Sequence, residues 1–338
     1  MSALRTHLKP TLVMILLLFQ TACGANAPQL EASPTVPPSV DAIPQPTPTA
    51  LPPDVYLLIT TGASVGFQIE AVAAFLEARA IEAGGEFRWE QGSIEPETIP
   101  SLTVLVLIEQ AGQDQAWGSL NPQAQVMAIP GSSEERPENV TRLAVDRIEI
   151  EQLGFLAGYA AALLSPDWRT AVITQVDSSA GALLGPAFRQ GAQYYCGLCR
   201  PERPPYEDYP LQISLDPDDA SSWQRVIDTM ITASIDVVYY EPGVLGEGQG
   251  QELLDEGMLL ITSEADVGAW SPSLLIVFDP AGFLEENWSA FRAGELEGAY
   301  RLPILLRRGE DGAISSGRRN ALEELRQDLE DGYIGIGS

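Results

Sequence analysis

From Asp54 onward the chain alternates short runs of aliphatic and β-branched residues with longer stretches whose apolar residues recur every three or four positions. Val55 to Thr60 predicts a strand, residues 66–83 a helix with Ile69, Val72, Ala73, Phe75 and Leu76 on its apolar side, and Leu102 to Ile108 a buried strand. Gln125 to Ile129 and Val140 to Val145 predict two more strands, followed by a helix over 148–164. The alternation then repeats: strand Thr170 to Thr174, helix 180–195, strand Leu211 to Leu215, helix 219–233, strand Ile235 to Tyr240, helix 246–256, strand Met258 to Thr262. A strand over Leu274 to Phe278, a helix over 281–297, a strand over Leu302 to Leu306 and a charged helix over 317–330 complete the pattern. Short apolar runs separated by helices signal βαβ units and parallel sheets. Two such series meeting near residue 165 predict an α/β protein of two doubly wound lobes, 54–165 and 166–273.

The first 53 residues have a different texture. Residues 1–22 combine a basic start (Arg5, Lys9), a nine-residue run from Thr11 to Phe19 and the small residues before Cys23. The run is far short of the roughly 20 residues needed to span a bilayer, and so it reads as a cleaved signal peptide. Small residues ahead of Cys23 resemble the bacterial lipoprotein signal, which implies that Cys23 becomes the lipidated first residue. An ordinary secretory signal is the alternative, and either one exports the protein. Gly24 to Pro53 carries nine prolines in 30 residues. This composition favours extended polyproline conformations, about 3.1 Å per residue and so roughly 90 Å of reach. Residues 23–53 thus read as a tether holding a folded body off a membrane.

Charge then removes several classes of function. The 338 residues carry a net charge of −28, with a single Lys (Lys9) and a single His (His7), both ahead of Cys23. After that point 17 Arg face 47 acids, a net charge of −30. Nucleic acid and anionic membrane surfaces need clustered cations, so this charge argues against both as partners. A body without Lys or His also has no imidazole-activated nucleophile, lysine Schiff base or Walker lysine. No cofactor and no metal site is expected.

One stretch is specific enough to suggest a family. Glu149-Ile-Glu-Gln-Leu-Gly-Phe-Leu-Ala-Gly-Tyr-Ala-Ala-Ala-Leu163, followed by a strand, closely resembles the signature of the basic membrane protein family. These are purine-nucleoside-receptor-type, substrate-binding lipoproteins of ABC transporters. Gly154, Ala157, Gly158 and Ala161 give the helix a small-residue face able to approach a sheet closely. Pro186-Ala-Phe-Arg-Gln-Gly-Ala192 and Asp236-Val-Val-Tyr-Tyr-Glu-Pro-Gly-Val-Leu-Gly-Glu-Gly248 resemble two further family segments, a helix and a strand ending in a glycine-bearing loop. The resemblance covers about 148–266 and more faintly 55–80. It implies a type I periplasmic-binding-protein-like fold in which part of 274–338 returns to complete the first lobe. It also implies a non-enzymatic function, the capture of a small, nucleoside-like ligand for an ABC permease.

The resemblance names the residues of the site. In Ala63-Ser-Val-Gly-Phe-Gln68 it implies that Phe67 stacks on the ligand and that Ser64 and Gln68 hydrogen-bond to it; the family's Asp is missing from this segment. Glu264 and Asp266, flanked by Trp270, would hold hydroxyls through charge-assisted hydrogen bonds, and the family's downstream Lys is absent. Tyr239 and Tyr240 alternate in direction along their strand, so only one faces the cleft, and Tyr240 with Gly243 is the expected pair. Each of these residues has a rival reading as core or solvated loop. The rival functions are a sensory or structural lipoprotein that kept the fold, and an extracytoplasmic hydrolase working through paired carboxylates. Cys196-Gly-Leu-Cys199 follows a helix in an exported protein, which predicts a local structural disulfide. The sequons at Asn139 and Asn287 carry no weight behind a bacterial-type leader.

Overall fold

Along Val55–Thr60 every residue is buried, and neighbours serve different cores: Tyr56 and Leu58 pack on one face, Val55, Leu57 and Ile59 on the other. A strand covered on both faces belongs at the centre of a parallel sheet flanked by helices. The computed structural model describes residues 53–61, 66–110, 112–130, 137–216, 219–246, 248–264, 271–296, 299–309 and 314–336. In chain order the elements are β1 (Val55–Thr60), α1 (Ile69–Ala83), β2 (Glu86–Gln91), β3 (Leu102–Ile108), α2 (Asp114–Leu120), β4 (Gln125–Ile129) and β5 (Val140–Ala144). Then come α3 (Arg147–Leu164), β6 (Thr170–Gln175), α4 (Ser179–Cys196), β7 (Leu211–Leu215), α5 (Ala220–Thr232), β8 (Val237–Tyr240), α6 (Gln249–Asp255) and β9 (Leu259–Thr262). Last are β10 (Leu274–Phe278), α7 (Pro280–Ala293), β11 (Ala299–Arg301), β12 (Ile304–Arg308) and α8 (Ser316–Glu330).

The strands form two six-stranded sheets, ordered β11-β5-β4-β3-β1-β2 and β12-β10-β9-β8-β6-β7. The first is parallel throughout, and the second is parallel except where β12 runs against β10. Among the described residues the chain passes between the lobes three times. After β5 it enters α3, which packs on α4 and on β8, β9 and β10 of the second sheet. It returns after β10, because α7 packs on α1, with Trp288 edge-on to Phe75 at 5.2 Å. It crosses again between β11, paired with β5, and β12, paired with β10. The Asp279 N–H donates to the Pro303 carbonyl at 2.9 Å, tying the second and third crossings together.

The first crossing corrects the expected junction near residue 165: it lies at Val145–Arg147, and the helix expected to close the first lobe opens the second. The two glycines of its small-residue face, Gly154 and Gly158, meet another helix, α4, rather than a sheet. A Cβ on Gly158 would lie 1.9 Å from the Phe188 carbonyl oxygen, and one on Gly191 1.8 Å from that of Phe155. Each glycine of this pair therefore admits the backbone beside a buried Phe of the opposite helix. Three elements were not predicted. β2 is an edge strand with mostly exposed residues, α2 is a seven-residue helix and β11 has three residues. Asn139 donates its side-chain amide to the carbonyls of Gly118, Asn121 and Ala124, so the first sequon is engaged in structure. Cys196 and Cys199 form a disulfide across the turn after α4.

Candidate functional site

The two sheets present the carboxyl ends of their strands to a shared cavity of about 220 Å³. In open α/β sheets this edge is where ligands bind, because loops there bring side chains and backbone amides together over the strand ends. From the first lobe the lining includes Gly66 and Phe67 after β1, Glu109 after β3 and Val145 after β5. From the second it includes Tyr239, Glu241 and Pro242 at the end of β8, and Ser263 after β9. Ile150 and Leu153 of α3, Ala180 and Leu184 of α4, and Phe278 at the end of β10 supply an apolar floor.

Its chemistry divides into an aromatic pair, a neutral hydroxyl pair and carboxylates. The rings of Phe67 and Phe278 lie 5.9 Å apart at 33°, and the Phe278 N–H donates to the Gly66 carbonyl at 3.1 Å. The loop after β1 is thereby stitched to the last strand before the second crossing. The hydroxyls of Tyr239 and Ser263 are 3.0 Å apart, and Phe188 stacks beneath the Tyr239 ring at 5.9 Å. Burial drives the Tyr239 hydroxyl well above the ordinary phenol range, only partly opposed by the bond to Ser263. It is thus a neutral donor and acceptor at any working pH.

Glu241 is 8% exposed. It accepts from the Gln175 N–H at 2.9 Å and, through its other oxygen, from the Ser178 hydroxyl. Ser178 is itself the N-cap of α4, its oxygen accepting from the Gly181 N–H at 2.9 Å. The carboxylate therefore sits at the positive end of a helix, a favourable place for a negative charge. Across the cavity Glu109 accepts from the Thr61 hydroxyl at 2.6 Å. Among the described residues no group of three or more His, Cys, Asp and Glu is arranged to hold a metal ion.

The expected site residues fall into three groups. Phe67 lines the cavity. Gln68, Gly243 and Glu264 lie one residue or so outside the lining: Gln68 is buried with Nε2 bonded to no described residue, and the Gly243 N–H points to Glu264 Oε2 at 3.5 Å. Tyr240 was the expected cleft tyrosine, and here the structure reverses the choice. Its side chain joins the core formed with Met230 and Leu253, and Tyr239 on the opposite face lines the cavity. Ser64, Asp266, Trp270 and the lipidation residue Cys23 lie outside the described residues. Sequence reasoning missed Glu109 and Glu241, although each is an acid placed directly after an apolar strand, where the chain emerges at the ligand edge.

The sequence matches no family model and no curated protein. Solved structures do match in shape. A solute-binding protein of an ABC transporter system from Aeropyrum pernix K1 aligns with a TM-score of 0.54 and 14% identity over 84% of this chain and 93% of its own. A transcriptional activator of the comK gene from Bacillus halodurans aligns with a TM-score of 0.56 and 14% identity, over 82% and 98%. The fold is that of the type I periplasmic binding proteins. In these terms the cavity is the interlobe cleft, and the crossings at Val145–Arg147, Phe278–Pro280 and Leu302–Ile304 form the hinge beside it.

Proposed function

We propose that this chain is the solute-binding lipoprotein of an ABC transporter, which captures a small polar ligand, a purine nucleoside, in the interlobe cleft and passes it to a membrane permease. Residues 1–22 are removed, Cys23 is lipidated, and residues 23–53 tether the body to the outer face of the cell membrane. The observation that carries this reading is a cavity at the strand ends, offering an aromatic pair from the hinge and a neutral hydroxyl pair from the second lobe. Phe67 stacks on a flat ring, while Tyr239 and Ser263 hydrogen-bond to polar groups at its edge. No bond in the ligand is made or broken. Lobe contacts that form together only when the cleft closes give the closed state the higher affinity, and that difference drives hinge closure.

The test is thermal unfolding of the folded body, residues 54–338, against a panel of nucleosides, bases and sugars. A ligand at 100 times its dissociation constant stabilises by about 2.7 kcal/mol, which raises the midpoint by several degrees. A response to purine nucleosides supports the full reading. A response to another solute keeps solute capture and replaces the ligand, and no response across the panel points to a sensory or structural lipoprotein.

A further inference from the structure

The charge of the cleft narrows the ligand further, given the reading of the cavity as a ligand site. Glu241 enters from the second lobe and Glu109 from the first, and no Arg is among the described residues lining the space between them. None of the described ion pairs involves Glu241. Its neutral partners, the Gln175 amide and the Ser178 hydroxyl, fix the carboxylate at the cavity wall. The rest of the lining is largely apolar, so an approaching charge is felt at a low effective dielectric.

Closure of the lobes brings a ligand against the walls that carry Glu241 and Glu109. An anionic ligand is repelled by the carboxylate of Glu241, and a neutral one gains nothing from its charge. A cation adds an electrostatic attraction to the stacking and hydrogen-bond contacts, so of the three it gains most from closure. The net charge of −28 on residues 54–338, 17 Arg against 45 acids, adds a long-range field that concentrates cations and repels anions. We infer that Glu241, with Glu109 opposite, makes the cleft selective for ligands that carry a protonated amine on a flat apolar body, and that it excludes phosphorylated and carboxylated ones.

The experiment uses two scaffolds, each in three charge states. One series is 5′-amino-5′-deoxyadenosine, adenosine and adenosine 5′-monophosphate; the other is phenethylamine, 2-phenylethanol and phenylacetate. Binding is measured by titration calorimetry at neutral pH and low salt on residues 54–338. The expected result in at least one series is an amine bound about tenfold or more tighter than its neutral counterpart, the scale of a charge-assisted hydrogen bond, with no binding of the anion. Glu241→Gln is expected to remove most of the amine's advantage, read as the ratio of amine to neutral affinity within that variant. Because that advantage is a ratio within one variant, a general loss of stability does not mimic it; Glu109→Gln, on the other lobe, provides a second reading.

Equal binding of amine and neutral compound, or tightest binding of the anion, overturns the inference and leaves solute capture standing. An amine advantage untouched by both substitutions overturns the assignment to these carboxylates. Silence of both series also overturns charge selection, whereas only silence across the wider solute panel removes the ligand-site reading with it.

Discussion

The adjacent residues Tyr239 and Tyr240 share chemistry and near-complete burial, yet a strand sends them to opposite faces, and only one reaches the cleft. Tyr239→Phe removes the hydroxyl paired with Ser263, so unfolding free energy should fall by about 1 kcal/mol and ligand affinity by about fivefold. Tyr240→Phe should leave affinity unchanged, since its ring packs in the second lobe's outer core, and calorimetric titration of both variants separates the two faces. Asp219, the N-cap of α5, gives a pH signature far from the site. The Ser221 hydrogen bond, then Arg225, lowers its carboxyl from the usual 3.8 to about 2. A depressed carboxyl stabilises the fold above its unfolded value and loses that contribution as pH falls through its folded one. Asp219→Ala should therefore lower the unfolding midpoint at neutral pH, with the gap to the parent closing between pH 4 and pH 2 in thermal scans.

Elements were legible where burial left a simple trace. The central strands are apolar on both faces, and every one of them was foreseen close to its observed limits. β2 was not, because Glu86, Arg88, Glu90 and Gln91 on an exposed edge interrupt any apolar run. Helices α3 and α4 announce close packing through their glycines, but which surface they approach is a property of the pair. Gly158→Ala and Gly191→Ala each force a methyl group against a backbone carbonyl and should destabilise by about 1–3 kcal/mol. Gly317→Ala in α8, where a Cβ meets nothing within 4 Å, should be neutral or stabilising by up to about 1 kcal/mol. Denaturant unfolding of the three variants would show whether the α3–α4 contact, rather than helix propensity, sets the order.

At the scale of the molecule the two lobes share one apolar cluster, running from Tyr56 and Leu58 through Phe67 and Phe278 to Tyr239 and Ile276. Motion about the three crossings then changes the cleft while each sheet stays intact, and ligand addition should reduce the radius of gyration measured by small-angle scattering. A ligand that raises the unfolding midpoint without such compaction would refute closure as the mechanism. The alternation of apolar runs and helical stretches determined the α/β class and the strand-end loops, because burial on both faces of a strand and one face of a helix is a local demand on residue type. The absence of Lys and His after Cys23 equally bounded the chemistry. What only the tertiary structure decided is which face of β8 meets the cavity, which lobe α3 joins, and that Glu109 and Glu241 line one cavity from different lobes. Those choices depend on which layer covers which face, and a strand buried on both sides carries no local mark of its neighbours.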